Sequence, residues 1–540
     1  MSGWTDHLII APIILPLVVG AAMMLIDDRR HVFKAAVGLA STVALVALAF
    51  TLVHVADGSG ADPATVRVYR LGNWPAAFGI VLVLDRLSAL MVALVSVLGL
   101  AALVYSLARW HRAGAHFHSL FQFQLMGLNG AFLTGDLFNL FVFFEIMLAA
   151  SYGLVLHGSG LARVKAGLHY VVVNLAASLL FLIGVSMIYG VAGTLNMADL
   201  ASRVATVAAE DRVLLEAGAA IMGMAFLIKA GMWPLGFWLP NTYATVGAAP
   251  AAIVSILSKV GIYAVLRLWL LIFGEGAGDS TGFGGNWLLI GGLLTIAFGS
   301  IAVLATQNTT RLASAAVLVS SGTLLATIGA GQVKATVGAL FYMVSSVPAI
   351  AGFFLLTELV ERGRGVGADV LAVTREAFGE GEEDDSDVEV GVAIPATMAI
   401  LGMSFMACTL LLSGLPPLSG FLAKFAILAP LLGAPDGVAQ TTWVLLAALV
   451  LSGLATIIAM VRVGIDIFWV SPASEVPCIR LVEIVPVLAL LTICVVLTVR
   501  AGPAMRYMED TARSLHFTQG YVTGVLDTPA KPVQVKGAGQ

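Results

Sequence analysis

Charge is what this 540-residue chain has least of: Asp, Glu, Lys and Arg together make up 11% of it, against 59% hydrophobic residues. With a mean hydropathy of +0.98 it is too apolar for a water-soluble fold, and composition alone places it among polytopic membrane proteins in contact with the lipid bilayer. Cysteine is scarce too. Cys408, Cys478 and Cys494 lie apart in apolar stretches with no CxxC spacing, which argues against thiolate iron–sulfur and zinc sites, so no cofactor and no metal is expected. The net charge is −4 and no basic run stands out, so nucleic acid is not an expected partner. Basic residues are missing also ahead of the first apolar run, where Asp6 and His7 stand in place of the Lys or Arg of a cleaved signal. The first helix is therefore expected to be retained.

What the chain does have is a succession of apolar runs, each near the roughly 20 residues that cross about 30 Å of hydrocarbon. About fourteen can be placed between 8–26 and 482–500, which predicts an all-α polytopic membrane fold of about 14 transmembrane helices. Helices 7 and 12 (214–238 and 393–432) are interrupted by proline while their flanks stay apolar. The interruptions are AFLIKAGMWPLGFWLP at 225–240, with Pro234, and SGLPPLSGFLAKF at 413–425, with Pro416 and Pro417. Pro234 cannot donate to the Ala230 carbonyl, nor Pro417 to that of Ser413. Each break thus frees polar backbone at membrane depth, which must face protein or water.

The two breaks echo one another in sequence and lie five helices apart. Five is odd, so the second unit is inverted relative to the first, an arrangement in which paired broken helices mark an ion pathway. The expected organisation is helices 1–3 over 1–118, a first five-helix repeat over 119–273, a second inverted repeat over 287–470, and helix 14 with a polar tail over 471–540. Loops after odd-numbered helices hold twelve Lys and Arg and loops after even-numbered helices five, which puts the odd loops in the cytoplasm and both termini outside. The acidic segment within 359–392, EAFGEGEEDDSDVEV, reads as a solvated linker. The tail beyond about 501 reads as a frayed extension without a catalytic role.

Four ionisable residues stand inside apolar runs: Glu145 in FNLFVFFEIMLAASY, Lys229 just before the first break, Lys259 in SILSKVGIYAV, and Lys424 just after the second. Each costs roughly 2.5–3.5 kcal/mol at the bilayer centre, on the order of 10 kcal/mol together, comparable to the stability of a whole domain. Such a set is hard to keep without a function. Burial disfavours the charged forms, so these groups can exchange protons near neutral pH. Glu145 shares its helical face with Phe138, Phe141 and Tyr152, and Lys229 is its expected partner, as a moving switch or as a static ion pair. Lys259 has Ser255 at i−4 and Tyr263 at i+4, a stripe that can carry water, although it could instead bond to carbonyls freed in helix 7. Lys424 ends the series unless it snorkels to the interface. Ser345, Ser346, His169 and Asp136 are secondary polar positions. Serine commonly bonds back to its own helix, His169 is as fit for the interface as for function, and Asp136 suits a helix cap. Asp85 and Arg86 are expected to be interfacial partners.

Three segments carry a family resemblance: TGDLFNLFVFFEIMLAASYGLVLHG, AFLIKAGMWPLGFWLPNTYATVGAAPAAIVSILSKVGIYAVLR and LPPLSGFLAKFAIL. They resemble the antiporter-like subunits shared by respiratory complex I, membrane-bound hydrogenases and the multisubunit Mrp-type (Pha, Mnh) Na⁺/H⁺ antiporters. Their wording is most like the D subunits of the Mrp type. The resemblance implies two inverted five-helix units and a proton path along the membrane plane. On it Glu145 and Lys229 match the family's glutamate–lysine pair, Lys259 the bridging lysine and Lys424 the terminal one. One departure stands out. Many complex I relatives have a lysine or histidine where this chain reads GALFYMVSSVPAIAGFFLL with Ser345 and Ser346, so water would have to bridge the gap.

The function implied is that of a proton-translocating membrane subunit of a multisubunit monovalent cation/proton antiporter, driven by the proton motive force and exchanging protons for Na⁺, or K⁺ in its place. Such a chain is an ion transporter subunit rather than an enzyme, placed in a bacterial inner membrane beside other membrane subunits. The alternative is a proton-pumping subunit of NADH:quinone oxidoreductase or a membrane-bound hydrogenase. A stand-alone solute transporter fits less well, because the lysines are spread over several helices instead of converging on one pocket.

Overall fold

An apolar chain in hydrocarbon has to satisfy its backbone internally, and a helix does so within one segment. The computed structural model describes residues 7–58, 66–76, 78–158, 160–362, 396–433, 437–469 and 479–527, and these are almost entirely helical. Three helices come first, α1 (Ala11–Met24), α2 (His31–Asp57) and α3 (Arg86–Ser106). Between α2 and α3 lies an antiparallel hairpin of β1 (Arg67–Arg70) and β2 (Val81–Leu84), with Arg67 opposite Leu84. Asp85 then opens α3 as its N-cap, in a reciprocal capping box with Ser88.

The next group is α4 (Phe117–Leu133), α5 (Leu137–Leu156), α6 (Leu161–Ala192), the short α7 (Met197–Val204), α8 (Ala209–Ala230), α9 (Leu239–Thr245), α10 (Ala248–Val254) and α11 (Leu257–Ile272). A second group follows, α12 (Gly285–Ala305), α13 (Thr309–Gly329), α14 (Val333–Glu361), α15 (Ala396–Ser413), α16 (Ser419–Leu432) and α17 (Gln440–Phe468). After α18 (Leu481–Val499) come α19 (Ala501–His516) and α20 (Gln519–Leu526).

Twelve helices among the described residues are long and apolar enough to cross a membrane. The first and fourth expected spans fall on α1 and α4, which are 14 and 17 residues long, short of the roughly 20 that span the hydrocarbon untilted. Helix α1 is tied down through its own irregularity. Pro16 frees the Pro12 carbonyl, and Asn129 of α4 donates its amide to it at 3.0 Å. The core sits where α10 and α11, buried except at Trp269 and Leu270, meet α13 and α14.

Both expected breaks are present, between α8 and α9 and between α15 and α16, and they share a backbone design. Each helix ends in a glycine with left-handed φ, Gly231 at +78° and Gly414 at +77°, and a cis peptide precedes Pro234 in one and Pro417 in the other. A residue with a Cβ is disfavoured at such φ.

Two expectations are corrected here. The tail beyond 501 is no frayed extension up to Leu526: α19 lies against α14, with Met508, Ala512 and Leu515 buried at helical spacing. Glu509, Asp510 and Arg513 made the segment read as polar and hid this stripe. Asp85 and Arg86 are not partners of one another. Asp85 forms a bidentate pair with Arg267 of α11 at 2.5 and 2.7 Å, while Arg86 lies 3.3 Å from Asp57 and 3.7 Å from Asp510. The acidic segment EAFGEGEEDDSDVEV lies outside the described residues, as do Cys478 and the last 13 residues of the tail.

Candidate functional site

The four charged residues are carried on α5, α8, α11 and α16. Glu145 is half-buried on α5 and accepts a short hydrogen bond from the Ser178 hydroxyl of α6. Lys229, in the last turn of α8, is 3% exposed, and its Nζ makes no hydrogen bond. It lies 5.4 Å from the ring centroid of Phe144, the residue before Glu145, and Glu145 acts on it electrostatically. A hydrogen-bonded static ion pair is therefore not formed. The cation–π contact supplies part of the stabilisation that a carboxylate in contact would give.

Lys259 is 1% exposed and donates to Ser321 of α13 at 3.4 Å, not to carbonyls of the first break. Close packing sets α11 against the end of α8, where a Cβ on Gly261 would stand 2.8 Å from the Ala230 nitrogen; Lys259, two residues earlier, lies on the other face of α11, toward α13. Of the stripe read around it, Ser255 bonds back to Ala252 and Tyr263 donates to the Phe132 carbonyl at 2.7 Å. Lys424 is 8% exposed and donates to the Ser413 carbonyl at 2.7 Å. That is the carbonyl Pro417 leaves without its helical donor, so the lysine is held by the break and does not snorkel.

A row of hydroxyls runs between Lys259 and Lys424. Ser321 takes the Lys259 contact, and its neighbour Ser320 donates to Ser346 of α14 at 3.1 Å. Next to Ser346, Ser345 meets the Ser419 hydroxyl at 2.7 Å. Ser419 opens α16, the helix that carries Lys424. Beside the row is a cavity of about 20 Å³ lined by Ser320, Tyr342, Ser345, Ser346 and Thr456, large enough for one water. The gap read at Ser345 and Ser346 is thus filled by hydroxyls from three helices. Ser178, Ser320, Ser321 and Ser419 were not singled out in the sequence, where nothing distinguishes them from serines bonded to their own helix.

The remaining positions are peripheral. His169 is exposed, its ring 6.0 Å from that of Phe237 in the first break. It opens on a vestibule of about 410 Å³ shared with Lys165, Asn241, Asn308 and Arg311. Asp136 is the N-cap of α5 and accepts the Asn139 N–H at 2.9 Å. The buried Asp85–Arg267 pair was missed by sequence reading, since each residue stands close to a loop. Burial disfavours the Asp85 charge, but Arg267 outweighs it and holds the carboxyl below the usual carboxylate range. Among the described residues no group of His, Cys, Asp and Glu is arranged to hold a metal.

A polytopic helical bundle with two matching breaks and a buried polar row between them is the class that fold and site define. Residues 134–455 match the family model described as NADH:quinone oxidoreductase/Mrp antiporter, TM, and the chain belongs to this family of multi-pass membrane proteins. It is 58% identical to the D subunit of a probable K⁺/H⁺ antiporter of Rhizobium meliloti (strain 1021), covering 98% of this chain and 99% of the relative. It is 33% identical to the D subunit of the Na⁺/H⁺ antiporter of Alkalihalophilus pseudofirmus, over 96% and 99% of the two chains. In fold it matches a chain of the Mrp complex from Dietzia sp. DQ12-45-1b with a TM-score of 0.80, at 23% identity over 97% and 100% of the two chains.

Proposed function

We propose that this chain is the proton-translocating membrane subunit of a multisubunit monovalent cation/proton antiporter driven by the proton motive force, an ion transporter subunit rather than an enzyme. The observation that carries the reading is the row from Lys259 through Ser321, Ser320, Ser346, Ser345 and Ser419 to Lys424. It joins the first repeat to the second break through hydroxyls that both give and take hydrogen bonds. Glu145 is the proton station of the first repeat (119–273), and Lys229, without a hydrogen-bonding partner, sets its proton affinity by approaching or withdrawing. Lys259 passes the proton to the second, inverted repeat (287–470), and Lys424 ends the path. His169 and its vestibule provide water access to the first repeat.

The two relatives' names support an antiporter over the redox-driven reading, which the family description also covers. They differ in the cation, so K⁺ is tested beside Na⁺. The cation crosses with the help of other membrane subunits, because the path holds no cage of clustered oxygens of the kind a cation needs. A bacterial inner membrane, about 14 crossings and both termini outside complete the reading.

The test uses everted vesicles containing the full complex. Added Na⁺ or K⁺ should dissipate a respiration-made pH gradient, and Glu145→Ala or Lys229→Ala should abolish the response while the complex still assembles. Full activity in either variant would sink the proposed path. A gradient unaffected by both cations but built by quinone reduction would favour the redox-driven alternative.

A further inference from the structure

Folding gathers a basic group that is scattered in the sequence. Arg29, Arg30 and His31, at the start of α2, and Arg112, from the turn Trp110–Arg112, line one open concavity of about 680 Å³. Its other walls are Val32, Phe33 and Ala36.

Six arginines elsewhere, Arg86, Arg203, Arg212, Arg267, Arg362 and Arg513, each meet a carboxylate. The three arginines of the concavity are exposed, and their guanidinium groups have no hydrogen-bond or ion-pair partner among the described residues. The two nearby acids are engaged. Asp28 is held by Lys34 at 2.5 Å and His116 at 3.2 Å, and Asp27 accepts the Arg29 backbone N–H at 3.0 Å. Three uncompensated guanidinium groups from two separate segments thus point to an anion. The apolar walls say which kind. Val32 and Phe33 are 73% and 53% exposed at the end of a helix apolar enough to cross a membrane, so the site meets phosphate chemistry and hydrocarbon side by side.

We propose that this concavity seats the headgroup of an anionic phospholipid, with Arg29, Arg30 and Arg112 on its phosphate and Val32 and Phe33 against the first methylenes of its acyl chains. Guanidinium forks suit phosphate oxygens, and basic pockets beside transmembrane helices hold anionic headgroups. The site is independent of the proton path.

The experiment is native mass spectrometry of the full-length protein in detergent, titrated with phosphatidylglycerol, phosphatidylcholine or inorganic phosphate. Each arginine should contribute about a factor of five, so the triple variant R29Q/R30Q/R112Q should bind phosphatidylglycerol roughly 100-fold more weakly and Arg112→Gln alone about fivefold more weakly. Phosphatidylcholine should bind weakly to all three proteins, and an unchanged thermal unfolding midpoint confirms that these exposed substitutions leave the fold intact. Equal phosphatidylglycerol binding by wild type and triple variant overturns the proposal. So does displacement of the lipid by equimolar inorganic phosphate, which marks a free-anion site. Loss of co-purifying membrane subunits with lipid binding unchanged marks a protein interface instead and overturns it as well.

Discussion

The two helix breaks are built alike in backbone and used differently. Each ends its helix in a left-handed glycine and has a proline three residues later. Before the first stands Lys229, buried and without a hydrogen-bond partner; after the second stands Lys424, bonded to the very carbonyl that its break sets free. The first break leaves its lysine without a hydrogen bond, and the second fixes its lysine near the end of a hydroxyl row. The difference teaches that a break is a scaffold only, and that its chemistry depends on which side of the glycine the charge falls.

The largest effect should come from removing the free lysine. A positioned proton-transfer group is worth about 100-fold or more in rate, so Lys229→Ala should lower cation-dependent gradient dissipation by at least that factor, as should Glu145→Gln. If Lys424→Ala costs far more than Lys229→Ala, the contrast between the two breaks is wrong. Next in size is the hydroxyl row. Each lost hydrogen bond is worth about 1 kcal/mol, near fivefold, so the Ser320→Ala/Ser345→Ala pair should slow transport by roughly 25-fold if the two act in series. Equal rates for double variant and wild type would show that protons bypass the row.

Much of this site was legible in the sequence, and the reason is cost. A charge in an apolar run is expensive, so Glu145, Lys229, Lys259 and Lys424 announced themselves, and so did Pro234 and Pro417. The serines did not. Ser96, Ser186 and Ser300 donate to their own helices four residues back, as serine in a membrane helix commonly does. Ser320 and Ser345 reach across to another helix, a distinction made by packing and not by residue type. The same holds for the Asp85–Arg267 pair, 182 residues apart, and for α19, whose apolar stripe lay hidden among charges.

The glycines give a smaller and sharper comparison. Alanine at either left-handed position should cost about 1–2 kcal/mol of stability, read as a fall in thermal unfolding midpoint. The two should differ in activity, because a Cβ at Gly414 would stand 2.7 Å from the Lys424 Cδ, while at Gly231 it meets Leu239 Cδ1 at 2.8 Å. Gly414→Ala should therefore impair transport beyond its stability loss and Gly231→Ala should not. The smallest effect is expected at Ser255, which bonds only to its own helix. Ser255→Ala should change transport by about twofold at most, in line with the modest net worth of such a bond. A large loss there would move the path away from the row.

The most direct measurement closes the row without touching a charge. Ser320→Val together with Ser346→Val fills the 20 Å³ cavity and removes the link between α13 and α14. In everted vesicles with the complex assembled at wild-type levels, Na⁺- or K⁺-dependent dissipation of the pH gradient should be lost. Undiminished dissipation would contradict a path running from Lys259 to Lys424.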